Sequence, residues 1–248
     1  MPSEPSSPTL PGLVRARLLD APSAALAWLL LERGVPVLVT GDWALATPLL
    51  DALVAALPTG RRPAPTGATA PDRLVRVAGT LERGTTTGIL RAALAATTGR
   101  SGLAALVEAP DMAGVLDVLA HQGLTDDEAS FLGVVLVVER RDETGGEPRL
   151  TAAHYLRPLV RDAGGHERRQ RPAILATWEP RGDRWEDFAW GIGPDLAERC
   201  RMRAGDFEVE RARRAALLAD LVARGDLDGE ALQAAAGRLA LDAPVVGG

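Results

Sequence analysis

The stretch "VPVLVTGDWALATPLLDALVAAL", residues 35–57, decides how the chain is read. A β-branched run leads to a turn at Gly41, and an apolar helical pattern follows from near Thr47 to Pro58. Strand, glycine turn and helix in that order form the scaffold of a phosphate loop, G-x-x-x-x-G-K-[ST]. Here Asp42, Trp43, Ala44 and Leu45 fill the spacer, and Ala46, Thr47 and Pro48 replace the second glycine, the lysine and the hydroxyl residue. The stretch is therefore open to two readings. It is a relic phosphate site at Gly41, Asp42 and Thr47, or a plain strand–turn–helix with Thr47 as N-cap and Pro48 at the first helical position.

Outward from this stretch, composition limits the chemistry. The chain has 248 residues, 46% of them hydrophobic and 25% charged, which suits a soluble α/β domain with a substantial core. A net charge of −5 argues against nucleic acid as a partner. No apolar run approaches the roughly 20 residues of a membrane span, so no direct membrane insertion is expected. One cysteine, Cys200, excludes an internal disulfide and points to the cytoplasm. All 28 basic residues are arginines. With no lysine, the chain has neither a phosphate-loop lysine nor a lysine base.

Periodicity divides the chain into three parts: a disordered or extended leader over residues 1–20, a core over 21–192, and a helical tail over 193–243. Helix 23–34, strand 35–40, helix 47–57, strand 73–79, helix 85–99, strand 102–109 and helix 110–123 alternate as in a parallel sheet with flanking helices. Residues 131–141 and 148–160 read as an antiparallel hairpin, and 172–180 as a further strand.

This order resembles the ATPases of type II and type IV secretion and of type IV pili, especially the archaeal-type branch, over about residues 20–240. "AALAWLLLERGVPVLVTG" is similar to the helix and strand entering the family's phosphate loop, and "DRLVRVAGTLERG" to the strand ending in its Asp box. "AALAATTGRSGLAALVEAPDMAGVLDVL" resembles the His-box segment, and "LATWEPRGDRWE" a W-D-P strand-turn. The resemblance implies a RecA-like P-loop ATPase core, a largely parallel sheet with flanking helices, an antiparallel β-hairpin extension and a helical tail. It also implies assembly as an oligomer.

Every nucleotide-handling motif of that family is altered. The Asp-box acids are Ala78 and Gly79, the segment between Arg83 and Ala93 is too short for a Walker B strand, and Arg100 replaces the first His-box histidine. Asp42 adds negative charge beside the loop, Pro48 lacks an amide, and Trp43 and Leu45 are expected to fill the space with apolar bulk. The expectation is a pseudo-ATPase without a catalytic residue, with ATP and Mg²⁺ disfavoured as cofactors. It would be a structural or regulatory part of a secretion or pilus machine, cytoplasmic or peripheral to its membrane complex. Its partners would be copies of itself, an active secretion ATPase or a membrane platform protein. One alternative is an unorthodox nucleotide enzyme in which Arg61, Arg62 or Arg100 supplies the missing charge. Another is an unrelated α/β protein-binding module.

Three further features carry two readings each. Trp178, Trp185 and Trp190 are a docking surface or a satellite core that pins the tail to the sheet. Glu108 and Asp111 imitate a catalytic pair but suit an acidic helix start. His121, His154 and His166 lack ligand spacing, so no metal is expected.

Overall fold

A computed structural model describes residues 7–63, 72–84, 87–97, 101–140, 146–162 and 164–241. The chain runs through α1 (Leu10–Arg15), α2 (Ala21–Glu32), β1 (Val37–Gly41), α3 (Trp43–Ala56), β2 (Val75–Leu81) and α4 (Ile89–Ala95). β3 (Leu103–Val107), α5 (Met112–His121), α6 (Asp126–Ser130), β4 (Val134–Arg140) and β5 (Pro148–Tyr155) follow. A small ribbon of β6 (Val160–Arg161) and β7 (Glu167–Arg168) precedes β8 (Ala173–Glu179) and β9 (Arg184–Asp187). Three helices, α7 (Gly193–Arg199), α8 (Ala204–Arg224) and α9 (Gly229–Leu241), complete the described chain.

Among the described residues, seven strands form one sheet in the order β2-β3-β1-β4-β5-β8-β9. Strands β2, β3, β1 and β4 pair in parallel, while β4/β5, β5/β8 and β8/β9 pair antiparallel. β8 therefore runs with β4, and the mixed α/β sheet is mostly parallel. Strands β1 and β3 are interior strands paired on both sides, which suits their unbroken aliphatic runs: both faces of Val37–Val39 and of Leu103–Val107 are buried.

The chain leaves β1 toward β2, then returns through β3 and crosses to β4. Right-handed crossovers of opposite sense put helices on opposite faces. α3 shares one core with α2 and α8, while α4 and α5 cover the other face with Leu38, Leu103 and Val135 beneath them. α2 is buried from Ser23 to Leu31, apolar all round as a helix between a sheet and another helix must be. α8 packs on α2, so the helical tail belongs to the main core.

Several boundaries differ from the sequence reading. The leader is not disordered or extended over its described part: Thr9 caps α1, and Leu10, Leu18 and Leu19 are buried. α1 packs on α8, the three leucines belong to the main core, and the Thr9 hydroxyl donates to the Leu227 carbonyl between α8 and α9. α4 is shorter than expected because Gly88, at φ +90°, adopts the left-handed conformation immediately before it. β5 ends at Tyr155 and not at 160, and α6, β9 and the β6/β7 ribbon have no counterpart in the sequence reading. The turn "DETGGE" lies mainly outside the described residues.

Candidate functional site

In open α/β sheets, ligands bind beyond the carboxyl ends of the strands where the connections diverge. Here the connections that diverge leave β1 and β3, since α3 and α5 cover opposite faces, whereas β4, on the other side of β1, turns directly into β5. Gly41 ends β1 against β4 with φ +103°, and a Cβ on Gly41 would lie 2.0 Å from the Val138 carbonyl oxygen. Only glycine lets the two backbones approach so closely. The Asp42 amide then donates to the same Val138 oxygen at 2.9 Å.

α3 begins at once. Asp42 is the single residue between β1 and α3, and it is the N-cap: its Oδ1 accepts from the Ala44 amide at 2.9 Å. Its carbonyl accepts from the amides of Leu45 and Ala46 at 2.9 and 2.8 Å. A helix N-terminus favours an anion, and here the protein's own carboxylate fills that role. Arg140, at the end of β4, donates from Nε to Asp42 Oδ2 at 2.9 Å and balances the charge. A phosphate loop needs several residues of free backbone around the anion. This turn has one.

The alternative start at Thr47 is thereby corrected. Thr47 and Pro48 lie inside α3, with the buried Thr47 hydroxyl lacking a partner. Pro48 has no amide to offer the Ala44 carbonyl, which an unbroken helix would use four residues back. Trp43 does not fill the turn either; it is 53% exposed, and closure comes from Asp42 and Arg140.

The arginines considered as lysine substitutes are elsewhere. Arg62 donates to the carbonyls of Leu57 and Ala55 at 2.9 and 2.6 Å, at the far end of α3. At about 1.5 Å per residue, that end is roughly 20 Å from Asp42. Arg61 stays beside it, its carbonyl accepting from the Leu74 amide at 2.8 Å. Arg100 lies outside the described residues. The cation at the turn is Arg140, which sequence reasoning passed over because no local spacing links it to Asp42.

No family model matches the chain, and no curated protein matches it.

The neighbouring strand ends are also committed to structure. Asp111 Oδ1 accepts from the Gly114 amide at 2.8 Å and caps α5, while Glu108 is exposed. Thr40, fully buried, donates to the Ala109 carbonyl at 2.6 Å and ties β1 to the loop after β3.

The tryptophans divide. Trp178 and Trp185 face one another across β8 and β9. The Trp178 indole donates to Asp183 Oδ1 at 2.9 Å, and the Trp185 indole to the Leu150 carbonyl at 2.9 Å. Arg149, its side chain 1% exposed, donates from Nε to Asp183 Oδ1 at 3.0 Å and also pairs with Glu147. Its guanidinium lies 5.9 Å from the Trp178 ring centre, and that of Arg17 lies 6.0 Å from the Trp185 ring centre. Arg149, Trp178 and, more weakly, Arg17 hold the Asp183 carboxyl down to about 2. Trp190 is outside this clasp and 75% exposed.

Among the described residues, no group of three or more His, Cys, Asp or Glu side chains could hold a metal ion. Cys200 is buried, and burial pushes its thiol up to about 12. Burial likewise lowers the pKa of His154. No helix among the described residues is long and apolar enough to cross a membrane.

Proposed function

We propose that this chain is a pseudo-ATPase, a RecA-like relative of the secretion and pilus ATPases that works through protein contacts. The supporting observation is the Asp42–Arg140 pair, which puts a carboxylate at the α3 N-terminus where a bound phosphate would need room and positive potential. The absence of any lysine in the sequence supports the same reading, because phosphoryl transfer depends on cations placed against the β and γ phosphates. The function that follows is structural or regulatory, within a type II or type IV secretion or pilus-like machine. Its partners are further copies of the chain, an active secretion ATPase or a membrane platform protein. The exposed Trp190 and, beside it, Phe188 at 40% exposure offer the aromatic contact such assemblies favour.

Calorimetric titration with Mg-ATP, coupled to light scattering, tests this reading. The expected result is no binding heat, with a mass above the 26.1 kDa of one chain that Mg-ATP leaves unchanged. Tight Mg-ATP binding with turnover abolished by Thr47→Ala would overturn it.

A further inference from the structure

A cavity of about 360 Å³ lies between α2, the end of α3, α8 and α9, at the opposite end of α3 from Gly41. Ala56 and Pro58 form one part of its wall, and Ala236, Gly237 and Leu239 of α9 form another. Its size falls in the roughly 300–1,000 Å³ range of small-molecule sites.

The polar groups on its remaining wall are mostly committed to each other. Arg214, with a side chain 7% exposed, pairs with Glu32 at 2.8 Å and Glu210 at 2.9 Å. Its guanidinium lies 4.3 Å from the centre of the Trp28 ring. The Gln233 amide donates to the carbonyls of Ala55, Ala56 and Leu57, closing the end of α3.

Two donors in the lining are left over. Trp28 is 1% exposed, and its indole Nε1–H has no acceptor. The Arg33 Nε–H is likewise buried and without an acceptor. Buried donors in a folded protein are nearly always paired, and each unpaired one carries a desolvation cost. Both call for acceptor oxygens. The lining carries no net charge, because Glu32 and Glu210, both in contact with Arg214, match Arg33 and Arg214 in number. A charged guest would add an uncompensated charge to this neutral wall, which low-dielectric surroundings penalise.

We infer that this cavity binds a small, uncharged, largely apolar molecule bearing a carbonyl group, of the amide, ester or lactone class. Trp28 Nε1–H and Arg33 Nε–H donate to the carbonyl oxygen, and the α9 wall covers the hydrocarbon. The site is independent of the Gly41 turn and of the pseudo-ATPase reading.

Titration of the full-length protein with octanamide, octanoate and octylamine tests it, since the three share one chain length and differ in head group. Octanamide is expected to bind saturably, with the acid and the amine at least tenfold weaker. Trp28→Phe keeps an aromatic face against Arg214 but deletes the donor, and is expected to weaken octanamide at least fivefold. Gly237 lines the cavity and a Cβ there meets no atom within 4 Å, so Gly237→Leu adds an isobutyl group to that wall without a backbone clash. That variant is expected to abolish binding while keeping the circular dichroism spectrum and melting temperature. Should Trp28→Phe fail to fold, Gly237→Leu decides alone. The inference is overturned if octanamide does not bind, if octanoate or octylamine binds as tightly, or if Gly237→Leu binds octanamide with unchanged affinity.

Discussion

The Asp42 carboxylate and the Arg140 guanidinium, 2.9 Å apart, join the carboxyl ends of β1 and β4 across 98 residues of sequence. The two contributions to this link differ in size. N-cap carboxylates are worth about 0.5–2 kcal/mol, whereas a partly exposed ion pair contributes about 0–1 kcal/mol. Asp42→Ala is therefore expected to lower the melting temperature by about 1–8 °C, using roughly 2–4 °C per kcal/mol for a chain of this size. Arg140→Ala should lower it by less than half as much. Equal losses in the two variants would mean that the ion pair, and not the cap, closes the turn.

Gly41 carries a larger penalty when replaced. A Cβ at Gly41 meets the Val138 carbonyl at 2.0 Å, and the backbone also sits at φ +103°. Neither strand can retreat, because β1 is hydrogen-bonded on both sides, to β3 and to β4. Gly41→Ala is expected to cost more than about 4 kcal/mol and to appear as insoluble expression or a melting temperature at least 10 °C lower. Gly79→Ala is the control. Gly79 has φ +72° with open space around it, so only the conformational cost of about 1–2 kcal/mol applies.

These two residues also mark how far the sequence could be read. The strand at 37–40 and the apolar helix after it were legible, because a buried β-branched run and an apolar helical pattern have distinct periods. The helix start was not. Asp42 and Thr47 are both good caps, and the choice is made by Val138 and Arg140, which approach only when β4 docks. The absence of a phosphate-loop lysine, second glycine and hydroxyl was visible residue by residue, and so was the Asp42 charge, but its pairing with Arg140 had no local signal. α6 could have been found: Thr125 and Glu128 form a capping box, a signature present in the sequence as "TDDE". β9 had no such mark. Its residues "RWED" carry no alternation, and only the pairing of Trp185 with Trp178 makes them a strand.

The Asp183 clasp gives a pH dependence. Its carboxyl is lowered from an ordinary 3.8 to about 2 by Arg149, Trp178 and Arg17. A depressed carboxylate stabilises the fold fully above its unfolded pKa and loses that contribution as the pH falls through the folded value. The melting temperature of the wild type is thus expected to drop between pH 4 and pH 2, and that of Asp183→Asn to drop less across the same interval. At pH 7 the variant should melt lower than the wild type, because the buried Arg149 keeps only Glu147 as an ionic partner. Parallel acid limbs in the two proteins would assign the acid sensitivity to other carboxylates.

Thiol reactivity reports on the helical layer. Cys200 is 4% exposed, and burial raises its thiol to about 12, so almost no thiolate exists at pH 8. Iodoacetamide is expected to leave the native protein unlabelled at pH 8 over an hour and to label one site per chain in 6 M guanidinium. Rapid native labelling would show that α7 opens readily from the core.

Arg214 joins α8 to α2 through Glu32, and to its own helix through Glu210. Burial opposes the charge on Arg214, but hydrogen bonding and attraction from Glu32 and Glu210 outweigh it, and its pKa is raised. Removing the guanidinium strands two carboxylates that are only 20% and 17% exposed. Breaking a buried pair from one side costs about 3–5 kcal/mol, whereas replacing all its members with apolar groups of similar volume is often neutral. Arg214→Met is therefore expected to lower the melting temperature by about 6–20 °C. Adding Glu32→Met and Glu210→Met to Arg214→Met should recover at least half of that loss, because neither half-buried carboxylate is then left without its guanidinium partner. A triple variant as unstable as Arg214→Met alone would show that the guanidinium contributes through its packing on the indole ring and not by neutralising the two carboxylates.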